Sequence, residues 1–140
     1  MWQDNLKIEL IKKLQKIQND FKHKSLKAID IGVFPWFDSF EVSFLVEGDE
    51  SLLDDIAAWE YYDYTGFNEG KWEELKPILK QIKQEYEKKD KEYIFKKVAN
   101  IFHTKELEDI INNYNKKESF IIQVLDSDEP SSRNYFLKED

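Results

Sequence analysis

The sequence predicts an α+β fold, because two kinds of hydrophobic spacing follow one another along its 140 residues. Apolar residues recur every three or four positions from Leu6 to Phe21 and again from Trp72 to Tyr114, which is the spacing of amphipathic helices. From Ile29 to Val46 apolar residues mostly alternate with other residues, which is typical of strands. The short apolar run Phe120–Leu125 is also typical of a strand. We therefore expect one domain, residues 1–140, in which a small antiparallel sheet packs against helices.

The amino-terminal half of this fold starts with one helix, from Leu6 to Phe21. Two strands follow, near residues 28–34 and 40–46. The short link between them contains Pro35 and polar turn-forming residues, so we expect an antiparallel hairpin at 28–46 with a loop longer than two residues.

The second half of the chain begins with a helical block near 71–115 that divides into three helices. Pro77 either kinks the first of them or marks a start near Lys76, since proline lacks the amide donor that an interior position needs. The last strand, near 119–125, is rich in β-branched residues and is expected to pair with the hairpin.

The composition argues against several classes of function. The net charge of −8 would repel a nucleic-acid backbone, and the absence of cysteine excludes disulfides, thiolate metal sites and cysteine nucleophiles. The four glycines are too sparse for a phosphate-binding loop. His23 and His103 lie on separate predicted helices and match no metal or catalytic-triad spacing. We therefore expect a non-enzymatic protein without a metal or cofactor.

The amino-terminal stretch carries charges at helical spacing where a secretory signal would be apolar. No stretch of the sequence approaches the roughly 18 consecutive apolar residues of a membrane span. We therefore expect a cytoplasmic protein.

The acidic residues are concentrated in one segment. Residues 28–70 contain no lysine or arginine and carry 11 acidic side chains, whereas the rest of the chain has a formal charge of +3. The same segment holds 10 of the 21 aromatic side chains. Aromatic rings often anchor protein interfaces, and carboxylates attract a basic partner over long range. The segment therefore predicts an acidic, aromatic surface that binds a basic protein.

Ten residues of this segment form the predicted partner-binding surface. The carboxylates expected to steer the partner are Asp49, Glu50, Asp54, Asp55, Glu60 and Asp63. The rings expected to anchor it are Trp59, Tyr61, Tyr62 and Tyr64. A simpler interpretation remains open, because an acidic run is usually only a solvated face.

Two other functions are compatible with these residues. A ligand-binding domain or small enzyme would line a pocket with Trp36, Phe37, Trp59 and Tyr62 beside a carboxylate. A buried concave site with one strongly shifted acid would favour that function, whereas a flat or convex acidic face would favour a protein binder. A scaffold that only self-associates is the third alternative.

The turn Val33–Trp36, the stretch Ile56–Tyr62 and the order of elements resemble small bacterial immunity proteins. These belong to polymorphic-toxin or contact-dependent growth inhibition systems, and the resemblance spans roughly residues 29–79. It implies a cytoplasmic, non-enzymatic protein that occludes the active site of a cognate toxin, often a basic nuclease. The resemblance assigns no binding residue by itself, so the surface defined above rests on charge and ring content.

Overall fold

The helices and strands of the chain form an α+β fold, as the sequence predicts. The structure is a computed structural model that describes residues 1–67, 72–129 and 131–137; Glu69 of the acidic segment and Lys71 of the predicted helical block lie outside these ranges. Within them the main elements are, in chain order, α1 (Trp2–Ile17), β1 (Leu26–Phe34), β2 (Ser39–Val46), α2 (Tyr64–Phe67), α3 (Lys76–Lys88), α4 (Lys91–Phe102), α5 (Lys105–Asn112) and β3 (Lys116–Val124).

Helix α1 forms because its apolar stripe faces the interior over its whole length. Trp2, Leu6 and Leu10 lie on this stripe and are buried. The helix begins before the predicted Leu6 because Trp2 extends the stripe by one turn. After Ile17 the chain tightens into a 3-10 turn, which ends at the buried Phe21.

Strands β1 and β2 form the predicted antiparallel hairpin. Their register runs from Leu26 opposite Val46 to Phe34 opposite Ser39, with an irregularity between Leu26 and Ala28. Strand β1 is the central strand of the sheet, whose order is β2-β1-β3. This position explains why nearly every residue of β1 is buried.

Strand β3 pairs with β1 in parallel, so the sheet is mixed and differs in this respect from the antiparallel sheet that the sequence predicts. The last residue of β2, Val46, lies opposite the first residue of β1, Leu26. The helices that follow return the chain to this end of the strands, where the Leu26 amide donates to the Asn115 carbonyl over 2.8 Å. Strand β3 therefore starts beside Leu26 and runs in the direction of β1.

One face of the sheet packs against the helices. Ile29 and Ile31 of β1 contribute to this core, which also contains a cluster of rings from distant parts of the chain. The ring centroids of Phe21 and Phe44 lie 4.4 Å apart, and Tyr114 stacks on Phe44 at 6.2 Å. This core holds α1 and the helical block on the same side of the sheet.

The helical block contains α3, α4 and α5, which correspond to the three predicted helices. Helix α3 starts at Lys76 with Pro77 in its first turn, as the missing amide donor of proline requires. Asp90 caps α4 by accepting a hydrogen bond from the Tyr93 amide over 2.9 Å. None of the helices in the described ranges is long and apolar enough to cross a membrane.

The opposite face of the sheet is covered by residues 47–63, which we call the covering segment. Trp59 of this segment is buried against Ala28 and Leu45 and forms a second, smaller apolar cluster. Its indole Nε1 donates to the Leu52 carbonyl over 2.7 Å. The covering segment also joins the edge of β2, where the Phe44 amide donates to the Tyr61 carbonyl over 3.2 Å. These contacts position the candidate site between the sheet and the covering segment.

Candidate acidic cleft

Three buried polar side chains lie in a row across the sheet, on the face toward the covering segment. The strand register places Asp30 of β1 opposite Ser43 of β2 on one side and opposite Gln123 of β3 on the other. All three side chains are at least nine-tenths buried. Within the described part of the chain, Oδ1 of Asp30 and Oε1 of Gln123 have no hydrogen-bond partner. Buried oxygens without partners are uncommon, so this row requires an explanation.

A cleft of about 300 Å³ opens beside Asp30, and we call it the acidic cleft. Gly32 and Phe34 continue its wall along β1. Its lining includes the carboxyl groups of Asp30, Glu41, Asp54, Asp126 and Glu129. Among the residues that the structure describes, no lysine, arginine or histidine lines this cleft. The cleft therefore concentrates negative charge in a space of the size that small ligands occupy.

Asp30 is the most strongly perturbed acid of this cleft. Burial raises the pKa of Asp30 to about 7, and the nearby charge of Glu41 contributes in the same direction. The register explains the proximity, because Glu41 lies opposite Gly32 and thus diagonally across from Asp30 on the same face. The Asp30 side chain is only 7% exposed, so its ionised form is disfavoured unless a partner compensates the charge.

Two neighbouring residues of the covering segment, Tyr62 and Asp63, lie near the cleft, and Tyr62 lines it. The Tyr62 hydroxyl donates to the two carboxylate oxygens of Glu41 over 3.1 and 3.0 Å. Burial, and next the contact with Glu41, raises the pKa of Tyr62 to about 12. Asp63 has a positive φ of 45°, and its amide donates to the Ser43 hydroxyl over 2.8 Å. Burial and the charge of Glu41 raise the pKa of Asp63 to about 6.

The far wall of the cleft is partly neutralised by Lys91. Its ammonium group forms an ion pair with Asp126 over 2.8 Å and lies 3.9 Å from Glu129. Asp126 is only 3% exposed. In the described ranges Asp30, Glu41 and Asp54 have no ion pair with a basic side chain. The carboxylates without an ion pair in these ranges therefore include all three on the wall formed by the hairpin and the covering segment.

The predicted steering carboxylates all belong to the covering segment, and most of them reach solvent. Glu50, Asp54, Asp55 and Glu60 are exposed, and Asp49 is half-buried. Only Asp54 among these five lines the acidic cleft. The others extend the negative charge over the outer surface of the covering segment, which is the surface that the sequence predicts for a basic partner.

The four predicted anchor rings do not share one outward face. Trp59 is 3% exposed and Tyr64 is 8% exposed, so neither ring is available to a partner in this conformation. Tyr61 packs on the helical side, 5.2 Å from Phe21, whereas Tyr62 lies on the side of the covering segment. The rings divide between the two apolar clusters: Trp59 and Tyr62 belong to the smaller cluster, whereas Tyr61 and Tyr64 pack in the main core.

The burial of Tyr64 gives its hydroxyl a structural role, since it donates to Oδ2 of Asp20 over 2.6 Å. We expect the substitution Tyr64→Phe to lower the free energy of unfolding by about 1–2 kcal/mol, because a bond to a charged acceptor is lost from a half-buried site. Urea unfolding followed by tryptophan fluorescence measures this loss. A fall in partner binding without a fall in stability would instead return Tyr64 to the binding surface.

The pocket that the sequence predicts as an alternative is only partly realised. Of Trp36, Phe37, Trp59 and Tyr62, only Tyr62 lines the acidic cleft. Trp36 packs toward Tyr86 of α3 with 6.2 Å between ring centroids, and Phe37 is 76% exposed in the hairpin loop. The rings of the predicted pocket are thus dispersed over three different environments.

Sequence reasoning missed the acids that form the deepest part of the cleft. Asp30 and Glu41 belong to the acidic segment but are not among the predicted site residues, and Asp126 lies outside that segment. One signal was present, because Asp30 is the one charged residue between Ala28 and Phe34 in a strand of otherwise apolar residues and glycine. A carboxylate in such a strand indicates either a partner or a function.

The described residues form no metal-binding cluster, and comparisons with known proteins give no match. In residues 1–67, 72–129 and 131–137, no group of three or more metal-binding side chains comes together in a suitable arrangement. Comparisons of the chain with protein-family models, with curated proteins and with solved structures find no match.

Proposed function

We propose that this protein is a non-enzymatic inhibitory binding protein that recognises a basic protein partner through its covering segment. The observation that carries the proposal is the set of exposed carboxylates, Glu50, Asp54, Asp55 and Glu60, on one continuous segment that lacks any basic residue. Such a charge distribution speeds association with a positively charged surface. In this proposal the partner is a cognate toxin, as the resemblance to bacterial immunity proteins implies, and a basic nuclease is the favoured kind.

A second candidate function is the binding of a small ligand in the acidic cleft. It is favoured by one specific observation, since the cleft is concave and contains a buried acid whose pKa is raised to about 7. The two candidates share the same side of the sheet, because Asp54 belongs both to the exposed carboxylates and to the lining of the cleft. They differ in whether the outer surface or the cleft supplies the binding energy.

The proposed function is tested with the product of the neighbouring reading frame, since an inhibitor of this type is encoded beside its target. We expect that product to bind the protein, and we expect the double substitution Asp54→Lys and Asp55→Lys to slow association by about tenfold at low ionic strength. The salt dependence of the association rate should become flatter. Both side chains are exposed, so the free energy of unfolding should change by less than about 0.5 kcal/mol.

The matched control is the double substitution Glu108→Lys and Asp109→Lys, which makes the same change of charge on exposed residues of α5. This variant should associate at nearly the rate of the parent protein. Equal slowing by both double variants would show that only net charge matters and would contradict a defined acidic surface. Failure of the neighbouring gene product to bind the parent protein would exclude it as the target.

A further inference from the structure

We infer that the acidic cleft is a binding site for an organic cation, a guanidinium or ammonium group, that ion-pairs with Asp30 and Glu41. The inference deepens the proposed function, because it names the chemical group recognised on the acidic side of the sheet. The inference rests on the proposed function only in one respect, namely that a basic protein partner would carry the cationic group. A free small molecule with the same cationic group would use the same contacts.

The first argument is the unsatisfied state of Asp30. Its side chain is 7% exposed, it lines the cleft, and its Oδ1 has no hydrogen-bond partner among the described residues. An ion in this position costs free energy unless it is paired and hydrogen-bonded. A cationic donor in the cleft would supply the missing pairing, and a neutral ligand would not.

The second argument is the arrangement of charge around Asp30. Glu41 lies diagonally across from it, at the roughly 7–8 Å between backbones that one bridging group can span. Asp54 adds a third carboxylate from the covering segment. Lys91, the cation recorded at the far wall, is occupied by Asp126 and Glu129 and does not line the cleft. Among the residues that the structure describes, the wall formed by Asp30 and Glu41 therefore has no basic side chain as a counter-ion.

The third argument is the shape and surface of the cleft. At Gly32 a Cβ atom would lie 3.2 Å from a ring carbon of Phe34 and 3.5 Å from Cβ of Glu41, so the missing side chain keeps the floor beside Asp30 open. Phe34 and Tyr62 contribute aromatic surface to the same lining. Carboxylates beside aromatic surface favour a planar guanidinium, because its edge donates hydrogen bonds while its face stacks on rings.

The test uses nuclear magnetic resonance of the full-length protein at pH 8 and constant chloride concentration. The probes are ethylguanidinium chloride, its neutral analogue N-ethylurea, and the blocked peptides acetyl-Gly-Arg-Gly-amide and acetyl-Gly-Lys-Gly-amide. We expect the cationic probes to shift the backbone amide signals of Asp30, Glu41 and Tyr62 in a saturable manner, and we expect N-ethylurea to leave them unchanged. Tighter binding of the peptides would identify a partner side chain as the source, and equal binding would identify a small cation.

Three variants make the result specific. Asp30→Asn should weaken binding of ethylguanidinium at least tenfold, whereas Glu118→Gln removes one exposed carboxylate elsewhere and should bind as the parent does. Gly32→Ala leaves the charge unchanged but narrows the floor, and it should weaken binding severalfold. Equal shifts with N-ethylurea, or undiminished binding by both Asp30→Asn and Gly32→Ala, would overturn the inference. Loss of cation binding with intact binding of the neighbouring gene product would leave the proposed function standing.

Discussion

Replacing Asp30 with asparagine is expected to stabilise the protein at pH 8 and to change its stability little at pH 4. The pKa of Asp30 is raised from 3.8 to about 7 by burial and by Glu41. In the unfolded chain the carboxyl group ionises near pH 4, whereas in the folded chain it keeps its proton until about pH 7. The folded state therefore loses stability as the pH rises from about 4 to about 7, by up to about 4 kcal/mol. Asparagine carries no charge and avoids this loss.

Urea unfolding at several pH values between 4 and 8 measures this effect as the difference between Asp30→Asn and the parent protein. Other charged or titratable groups also surround Asp30 in the described part of the chain. They are Glu41, Asp54, Tyr62, Asp63, and Asp126 and Glu129 with their partner Lys91. The pKa of Asp63 is raised to about 6, so the free energy of unfolding should also fall, less steeply, between about pH 4 and pH 6 in both proteins.

The control for this prediction is Asp55→Asn, which removes an exposed carboxylate from the covering segment. Because Asp30 is unchanged in this variant, its stability should keep the pH dependence of the parent protein. A variant Asp30→Asn that is equally destabilised at pH 4 and pH 8 would contradict the prediction. That result would mean that the contribution of Asp30 to stability does not depend on its protonation state.

The substitution Trp59→Ala is expected to lower the free energy of unfolding by about 3–5 kcal/mol, the usual cost of removing a buried large aromatic side chain. Trp59 fills the space between the covering segment and the sheet, against Ala28 and Leu45, and its indole binds the Leu52 carbonyl. Few other buried residues hold this segment in place. The segment should therefore loosen before the rest of the fold, which limited proteolysis and urea unfolding together would detect.

Trp59→Phe is the matched variant, because it keeps an aromatic ring but removes the indole hydrogen bond and part of the volume. We expect it to cost about 1–2 kcal/mol, and we expect partner binding to be retained in proportion to the folded fraction. If Trp59→Phe binds the partner poorly while remaining as stable as the parent protein, the ring contacts the partner directly. The buried position of Trp59 would then open on binding.

The residues that hold the covering segment in place differ from the residues proposed to bind the partner. Trp59 and Tyr64 hold the segment and its flank against the two apolar clusters. Asp54 and Asp55 carry exposed charge that has no structural role in the described part of the chain. Asp30 belongs to neither group, since its buried carboxyl group reduces the stability of the fold at neutral pH and above, where the unfolded chain ionises fully. A destabilising acid retained in a central strand is typical of functional sites, where stability is often given up for binding.

The longer helices, the three strands and the distribution of charge could be predicted from the sequence. Helical spacing identified α1 and the helical block, and alternation identified the hairpin and β3, because these periods record which side of an element is buried. The lack of basic residues between 28 and 70 was visible without coordinates. Periodicity does not record the direction in which a strand runs, so the parallel pairing of β3 required the structure.

Which acids lie close together and which rings are buried depends on the tertiary structure. Asp30, Glu41 and Asp126 come from three regions of the chain, and only the sheet register and the return of the chain after β3 bring them to one cleft. The covering segment encloses the side of β1 that carries Asp30, and the carboxyl group is therefore buried. Burial of this kind depends on contacts between residues distant in sequence, and local spacing carries no information about such contacts.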